Sequence, residues 1–318
     1  MSVKVIRLII GWLWVLDGLL QLQPKMFTSA FADKVILPMA IGQPMVVSLP
    51  IHWVASLFLI NPSLFNSLIA IVQLAIGILI LFRKTSQSGL LAAIVWGLLV
   101  WSLGEAYGGM LAGNFSLLMG SPGAGLIYAI ISLSIYAKRD DEVPSFWLTL
   151  VWLGVWLLGS MSFVLNFHSL GLVDAMLTGN FSNMPHWLAY INNYFHLLIG
   201  SLANHRVAVT NSGMAMKMAK PINSSSSYWF IIVFALIELL VGFGVLLNKN
   251  IRKTAVVLGC LILVMFWLVG QRAGDYYTGL MTDLNTAPLL IIIGAVLFKN
   301  DYKQSLVKFG QAVKDKII

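Results

Sequence analysis

The chain offers almost no thiol chemistry. One cysteine, Cys260, stands in 318 residues, and a single thiol excludes an intrachain disulfide, a CxxC redox pair and a cysteine-rich metal site. Charge is nearly as scarce: Asp, Glu, Lys and Arg together supply 10% of the residues, against 59% apolar types. A water-solvated domain carries about a quarter of its residues charged, so the composition argues against a soluble fold and for an all-α, polytopic membrane protein. Familiar enzymatic templates are missing as well. There is no Walker loop, no dinucleotide fingerprint between a strand and a helix, no HExxH and no GxSxG elbow, which removes the activities those motifs carry.

Metal binding finds no support either. The five histidines, His52, His168, His186, His196 and His205, show no compact ligand spacing. Met214, Met216 and Met218 alternate in GMAMKMAK, a soft-ligand pattern that would suit copper, but in a Ser- and Gly-rich stretch that reads as a loop. No metal site is expected.

What is present is a set of apolar runs with basic punctuation. A hydrocarbon core of ~30 Å needs about 20 helical residues, and eight segments approach that length: Val5 to Leu22, Leu64 to Phe82, Gly89 to Gly104, Pro122 to Ala137, Ser145 to Phe167, Tyr228 to Leu247, Thr254 to Gly270, and Asp283 to Phe298. The formal net charge is +8, but the cations sit in short clusters between these runs and not along an aromatic-studded stripe. Nucleic acid is therefore not expected as a partner, and the clusters read as topology signals. Lys4 with Arg7, Arg83 with Lys84, Lys138 with Arg139, Lys249 with Arg252 and Lys253, and the lysines from Lys299 onward all fall on one side, so both termini are expected to be cytoplasmic. Asp17 interrupts the first run and no small-residue cleavage site follows it, so the first helix is expected to stay.

Two further segments lie outside this pattern. Val35 to Ile60 is apolar but holds three prolines, and making it a ninth span would place Arg83 and Lys84 outside; it reads as a surface-lying or re-entrant element. The tail from Tyr302 puts Leu306, Phe309, Val313 and Ile317 on one helical face with lysines elsewhere, as an amphipathic helix on the inner leaflet does.

The most informative feature is an internal repeat. Trp101 to Pro122 aligns without a gap on Trp267 to Pro288 with six identities, a Trp, three glycines, a Leu and the Pro; upstream, QLAIGILILF from Gln73 matches ELLVGFGVLL from Glu238. The chain thus divides into residues 1–140 and 141–298, two four-helix repeats lying the same way up, and a tail, 299–318. Their join is the charged linker KRDDEVP, Lys138 to Pro144.

This four-helix unit, with Gln73 or Glu238 four residues before a glycine, then an apolar run, a basic turn and a third helix, resembles the DoxX and DoxD group of membrane proteins. The resemblance implies quinone-linked redox chemistry, since DoxD is similar in kind to the membrane subunit of a thiosulfate:quinone oxidoreductase. It also implies an electron donor protein on the outer face. It carries no substrate over.

Acids within apolar runs are functional candidates, because a charge there costs from about 2.5 kcal/mol upward. At ~1.5 Å of rise per residue, Asp17, Glu105 and Arg272 fall in the outer half and Glu238 and Gln73 near the middle. Asp17 and Glu105 are the expected proton-exchanging residues. Glu238, Gln73, Gln271, Arg272, Trp101 and Trp267 are expected around a quinone, Gln271 as a hydrogen-bond donor and the tryptophans as stacking surfaces or interface anchors. Two structural readings compete: Glu105 pairing with Arg272 across the repeats, and the GxxxG glycines, Gly104 with Gly108, Gly109 with Gly113 and Gly270 with Gly274, packing helix on helix. Three functions follow: a quinone-linked oxidoreductase subunit, a non-catalytic membrane scaffold, or a small-solute transporter.

Overall fold

A computed structural model describes residues 1–113, 115–165, 184–192, 207–209, 216–218, 225–300 and 302. The expected amphipathic tail beyond Tyr302, and His168, His196 and His205, lie outside these residues.

All eight apolar runs are helices: α1 (Val3–Leu20), α3 (Pro62–Leu81), α4 (Ser86–Leu103), α5 (Ala124–Ile135), α6 (Leu148–Leu165), α7 (Ser225–Gly244), α8 (Lys249–Leu268) and α9 (Thr286–Lys299). A further helix, α2 (Met45–Ile60), forms within the proline-bearing stretch and carries Pro50 inside it. Helices α3 and α4, and the one that starts at Lys249, are long and apolar enough to cross a membrane. The strands among the described residues form one short antiparallel pair, Val207–Val209 with Met216–Met218.

Helix ends follow local chemistry. Asn61 accepts from the backbone N–H of Leu64 ahead of Pro62 at the first helical position, and Asn248 accepts from Asn250 and Ile251 at the start of α8; both satisfy amides that the first turn leaves without partners. The far end of α3 is closed from another helix. Arg7, buried on α1, donates to the carbonyls of Ile80 and Leu81 and pairs with Asp140 of the linker at 3.2 Å.

The pairing of helices is the same in both halves. α1 packs on α3 and α4 on α5; α6 packs on α7 and α8 on α9. Close approach is set by glycines that the GxxxG reading did not single out. A methyl added to Gly97 would meet the Gly125 carbonyl oxygen at 2.6 Å, and one on Gly125 would meet that of Gly97 at the same distance, so α4 and α5 touch backbone to backbone. The main core joins both halves through Trp14, Tyr128, Trp152, Trp156, Phe266 and Leu290, while a second cluster holds α2 on the segment Met26 to Ala40.

One end of the bundle gathers the chain's joints. The Val3 and Lys4 amides bond to the linker carbonyls of Glu142 and Asp140, the terminal amine donates to Asn300, and Tyr302 donates to the Pro144 carbonyl. The linker between the halves is thus bound down onto the start of α1 and the end of α9.

Candidate functional site

Beyond α4 and α8 the chain makes the same unusual turn twice. Ala106, Tyr107, Gly108, Gly109 and Gly113 have positive φ, and so do Arg272, Ala273, Gly274, Asp275 and Gly279. The amide of Glu105 bonds to Val100 and that of Gln271 to Phe266, while Gly108 bonds to Glu105 and Gly274 to Gln271, position for position. Such a run of left-handed residues is costly unless glycine supplies part of it. Here lies the role of Gly108, Gly113, Gly274 and Gly279: they permit the turn and do not form a helix seam, which corrects the GxxxG reading.

Glu105 and Gln271 bridge this turn to the fourth helix of their own half. The Glu105 carboxylate accepts from the Gly125 N–H, in the first turn of α5; the Gln271 side-chain oxygen accepts from the Ala287 N–H, in the first turn of α9. Each side chain therefore caps a helix start from a distance, where a carboxylate also meets the positive end of the helix dipole. Each tryptophan clips the adjoining loop, Trp101 donating to Pro122 at 2.7 Å and Trp267 to Leu284 at 2.8 Å.

These bonds revise the alignment. Pro122 corresponds in space to Leu284 and Gly125 to Ala287, so the first loop is four residues longer than the second. The gap-free pairing of Pro122 with Pro288 fails there, because backbone bonds and not residue identity fix the register. The positive-φ residues before the fourth helices, Gly123 and Asn285, match under the corrected register.

The loops then cross. Gln271 donates to the carbonyl of Leu117, from the first half, and Thr286 donates to that of Gly120. Conversely, Asp283 from the second half comes within electrostatic reach of Asp17, Glu105 and Tyr128 of the first. Asp283 lies before α9 and not within a helix; its carboxylate accepts from the Thr282 hydroxyl and the Asn285 N–H. Burial raises its pKa, and those two hydrogen bonds oppose the rise.

The result is a buried acidic cluster centred on the first half. Asp17 is 1% exposed and its Oδ1 has no hydrogen-bond partner, nor has the Trp14 indole N–H; the Tyr128 hydroxyl lies against the Asp17 carboxyl. Trp14 and Tyr128 rings sit 4.5 Å apart. Gln73 is buried one residue before Leu74, which packs over Gly18 beside Asp17, and the Gln73 side-chain oxygen is unpartnered. Buried polar groups without partners are rare in folded proteins, and the Asp17 carboxyl, the Trp14 indole and the Gln73 amide mark a place where a ligand or a proton would be held.

The second half holds the same position without the acid on its first helix. Gly77 approaches the Gly11 carbonyl and Gly242 approaches the Leu153 carbonyl; that register sets Trp156 at the place of Trp14 and Gly159 at the place of Asp17. The acid is instead on the second helix, Glu238, fully buried with both carboxylate oxygens unpartnered.

The remaining expected residues lie elsewhere. Arg272 pairs with Asp275 at 2.8 Å, three residues on, and Glu105 forms no ion pair among the described residues; the cross-repeat Glu105 to Arg272 pair is corrected accordingly. Gln271 has its amide engaged by backbone on both sides, donating one N–H to Leu117 and accepting from Ala287. No group of three or more His, Cys, Asp or Glu among the described residues is arranged to hold a metal ion. Tyr128 was not singled out from sequence, and Asp283 was an ionisable candidate at the outer edge, with no place given it beside Asp17. Tyr128 sits mid-helix with no repeated partner, Leu290 standing at its place in the second half, and Asp283 reaches the cluster only because the loops cross.

No family model matches this sequence, and neither the curated proteins nor the solved structures contain a match to it.

Proposed function

We propose that the chain is a multi-pass membrane protein with eight spanning helices and cytoplasmic termini, and that it serves as the quinone-interacting subunit of an oxidoreductase. Support for the membrane setting comes from its surface. Large aliphatic side chains stand exposed along α3 (Leu64, Leu68, Ile71), α4 (Leu91, Val95, Leu98), α7 (Leu236, Leu240) and α8 (Val257, Leu261, Val264), far more than a soluble monomer leaves in water. The basic clusters favour the cytoplasm for the end that holds the linker.

The observation that carries the functional reading is the buried cluster of Asp17, Tyr128, Trp14 and Gln73, with Glu105 and Asp283 within electrostatic reach; we read it as a ligand chamber. A quinone head group is flat, apolar and carries carbonyl oxygens; it becomes a quinol by taking up two electrons and two protons. An aromatic pair with a hydroxyl and an unpartnered indole donor suits the ring and its oxygens, and carboxyls that gain and lose protons suit the chemistry. The electrons would come from a separate donor protein on the outer face, as the DoxD resemblance implies.

Trp14 lies in this chamber, so its fluorescence is the natural reporter. Titrating the purified protein in detergent with a short-chain ubiquinone should give saturable quenching that Asp17→Asn and Tyr128→Phe weaken at least fivefold with folding intact. Absence of saturable quenching in the wild type would overturn the reading and leave a scaffold or a solute transporter.

A further inference from the structure

Each half buries an acid in its helix pair, Asp17 in the first and Glu238 in the second. In the first, Asp283 of the opposite half approaches Asp17, Glu105 and Tyr128. In the second, the residue that arrives from the opposite half is Leu117. Its carbonyl takes the Gln271 amide, and its side chain lies over Gly159. A methyl on that glycine would come 2.5 Å from Leu117 Cδ1 and 3.1 Å from Glu238 Oε2.

We infer that the second half contains a latent ligand chamber, walled by Gly159, Glu238, Trp156 and Gln271 and stoppered by Leu117. This rests on the quinone reading for the class of ligand, a flat apolar ring with a hydrogen-bonding oxygen. It rests on geometry alone for the chamber itself.

Three observations converge on it. Glu238 is fully buried and both its oxygens lack a partner, which is the arrangement a packed core avoids and a site retains. Trp156, fully buried, has its indole N–H unpartnered just as Trp14 does. Finally, Gly159 leaves open the volume that Asp17 fills in the first half, and Leu117 occupies it, fully buried as well. The acid has moved from the first helix to the second while the chamber kept its level. The chain therefore takes one ligand, in the first half, and removal of the Leu117 side chain opens a second place.

Dicyclohexylcarbodiimide tests the chamber without reference to quinone. The reagent is small and apolar; a carboxyl O–H adds across its C=N bond, and the O-acylisourea rearranges to a stable N-acylurea that mass spectrometry locates by residue. Leu117→Ala should raise modification of Glu238 at least tenfold over the wild type, and Glu238→Gln in that background should abolish it. Equal Glu238 modification in wild type and variant, with unchanged circular dichroism, would overturn the inference. If Leu117→Ala does not fold, Leu117→Val gives the same comparison with a smaller expected rise.

Quinone stoichiometry then tests the ligand class. One short-chain ubiquinone per wild-type chain should become two in Leu117→Ala. A chamber opened to carbodiimide with no quinone bound by either protein sinks the quinone reading and leaves the chamber standing. One quinone in both proteins, with Glu238 newly modified, overturns the ligand class.

Discussion

Both carboxylate oxygens of Glu105 lie 3.1 Å from the single backbone N–H of Gly125, so the third helix of the first half caps the fourth. Gln271 does the same for Ala287, and an amide therefore suffices for the structural task. Glu105→Gln should keep the melting temperature within a few degrees of the wild type, whereas Glu105→Ala should cost about 1 kcal/mol, the usual value of a lost helix cap. Thermal unfolding in detergent, followed by circular dichroism, separates the two. An equal loss in both variants would mean that charge and not the hydrogen bond holds α5.

Gly108 and Gly113 share a turn and a positive φ but not a neighbourhood. A methyl at Gly113 meets nothing, whereas one at Gly108 would collide with the Pro122 carbonyl. Gly113→Ala should carry only the conformational cost of a left-handed alanine, on the order of 1 kcal/mol. Gly108→Ala should lose about 1–3 kcal/mol more, seen as a lower melting temperature or a collapsed yield of folded protein.

Arg7 is buried and its only carboxylate partner among the described residues is Asp140, which also meets exposed Arg83 at 3.7 Å. Asp140→Asn leaves a buried guanidinium without its counter-charge, at about 1–3 kcal/mol, and loosens the linker over α1. Limited proteolysis should cut between residues 138 and 144 faster in the variant. Arg83→Gln, which removes only an exposed partner, should leave the rate unchanged.

Asp283 makes the fold sensitive to pH. Burial holds its pKa above the unfolded value, so the protonated acid is favoured in the native state. Its stabilising effect is complete below the unfolded value near pH ~4 and is lost as pH rises through the folded value. Asp283→Asn removes the titration. The variant should melt above the wild type at neutral pH and level with it near pH 4; a constant gap across that window would show that Asp283 does not titrate there.

The helices were legible because they depend on local terms. Apolar runs, Asn61 with Pro62, and Asn248 ahead of α8 are written in consecutive residues, and each predicted run is helical within a few residues of its expected ends. The repeat was legible through Trp101 and Trp267, since both donate their indole N–H to a loop that neither half can drop. Its register beyond Gly113 was not, because Pro122 and Pro288 coincide by sequence and only the Glu105 and Gln271 bonds show that four residues intervene.

Sequence by itself determined the composition, the eight apolar helices, the repeated segment after Trp101 and Trp267 and the places where acids interrupt apolar runs, all of which follow from side-chain type and spacing along one chain. Tertiary structure alone decided which of those acids meet. Asp283 is 266 positions from Asp17 in the sequence, and Leu117 is 121 positions from Glu238; each pair is neighboured only because two loops cross between the halves. That crossing is set by Gln271 on Leu117 and Thr286 on Gly120, hydrogen bonds between backbone and side chain that have no signature in either segment read alone.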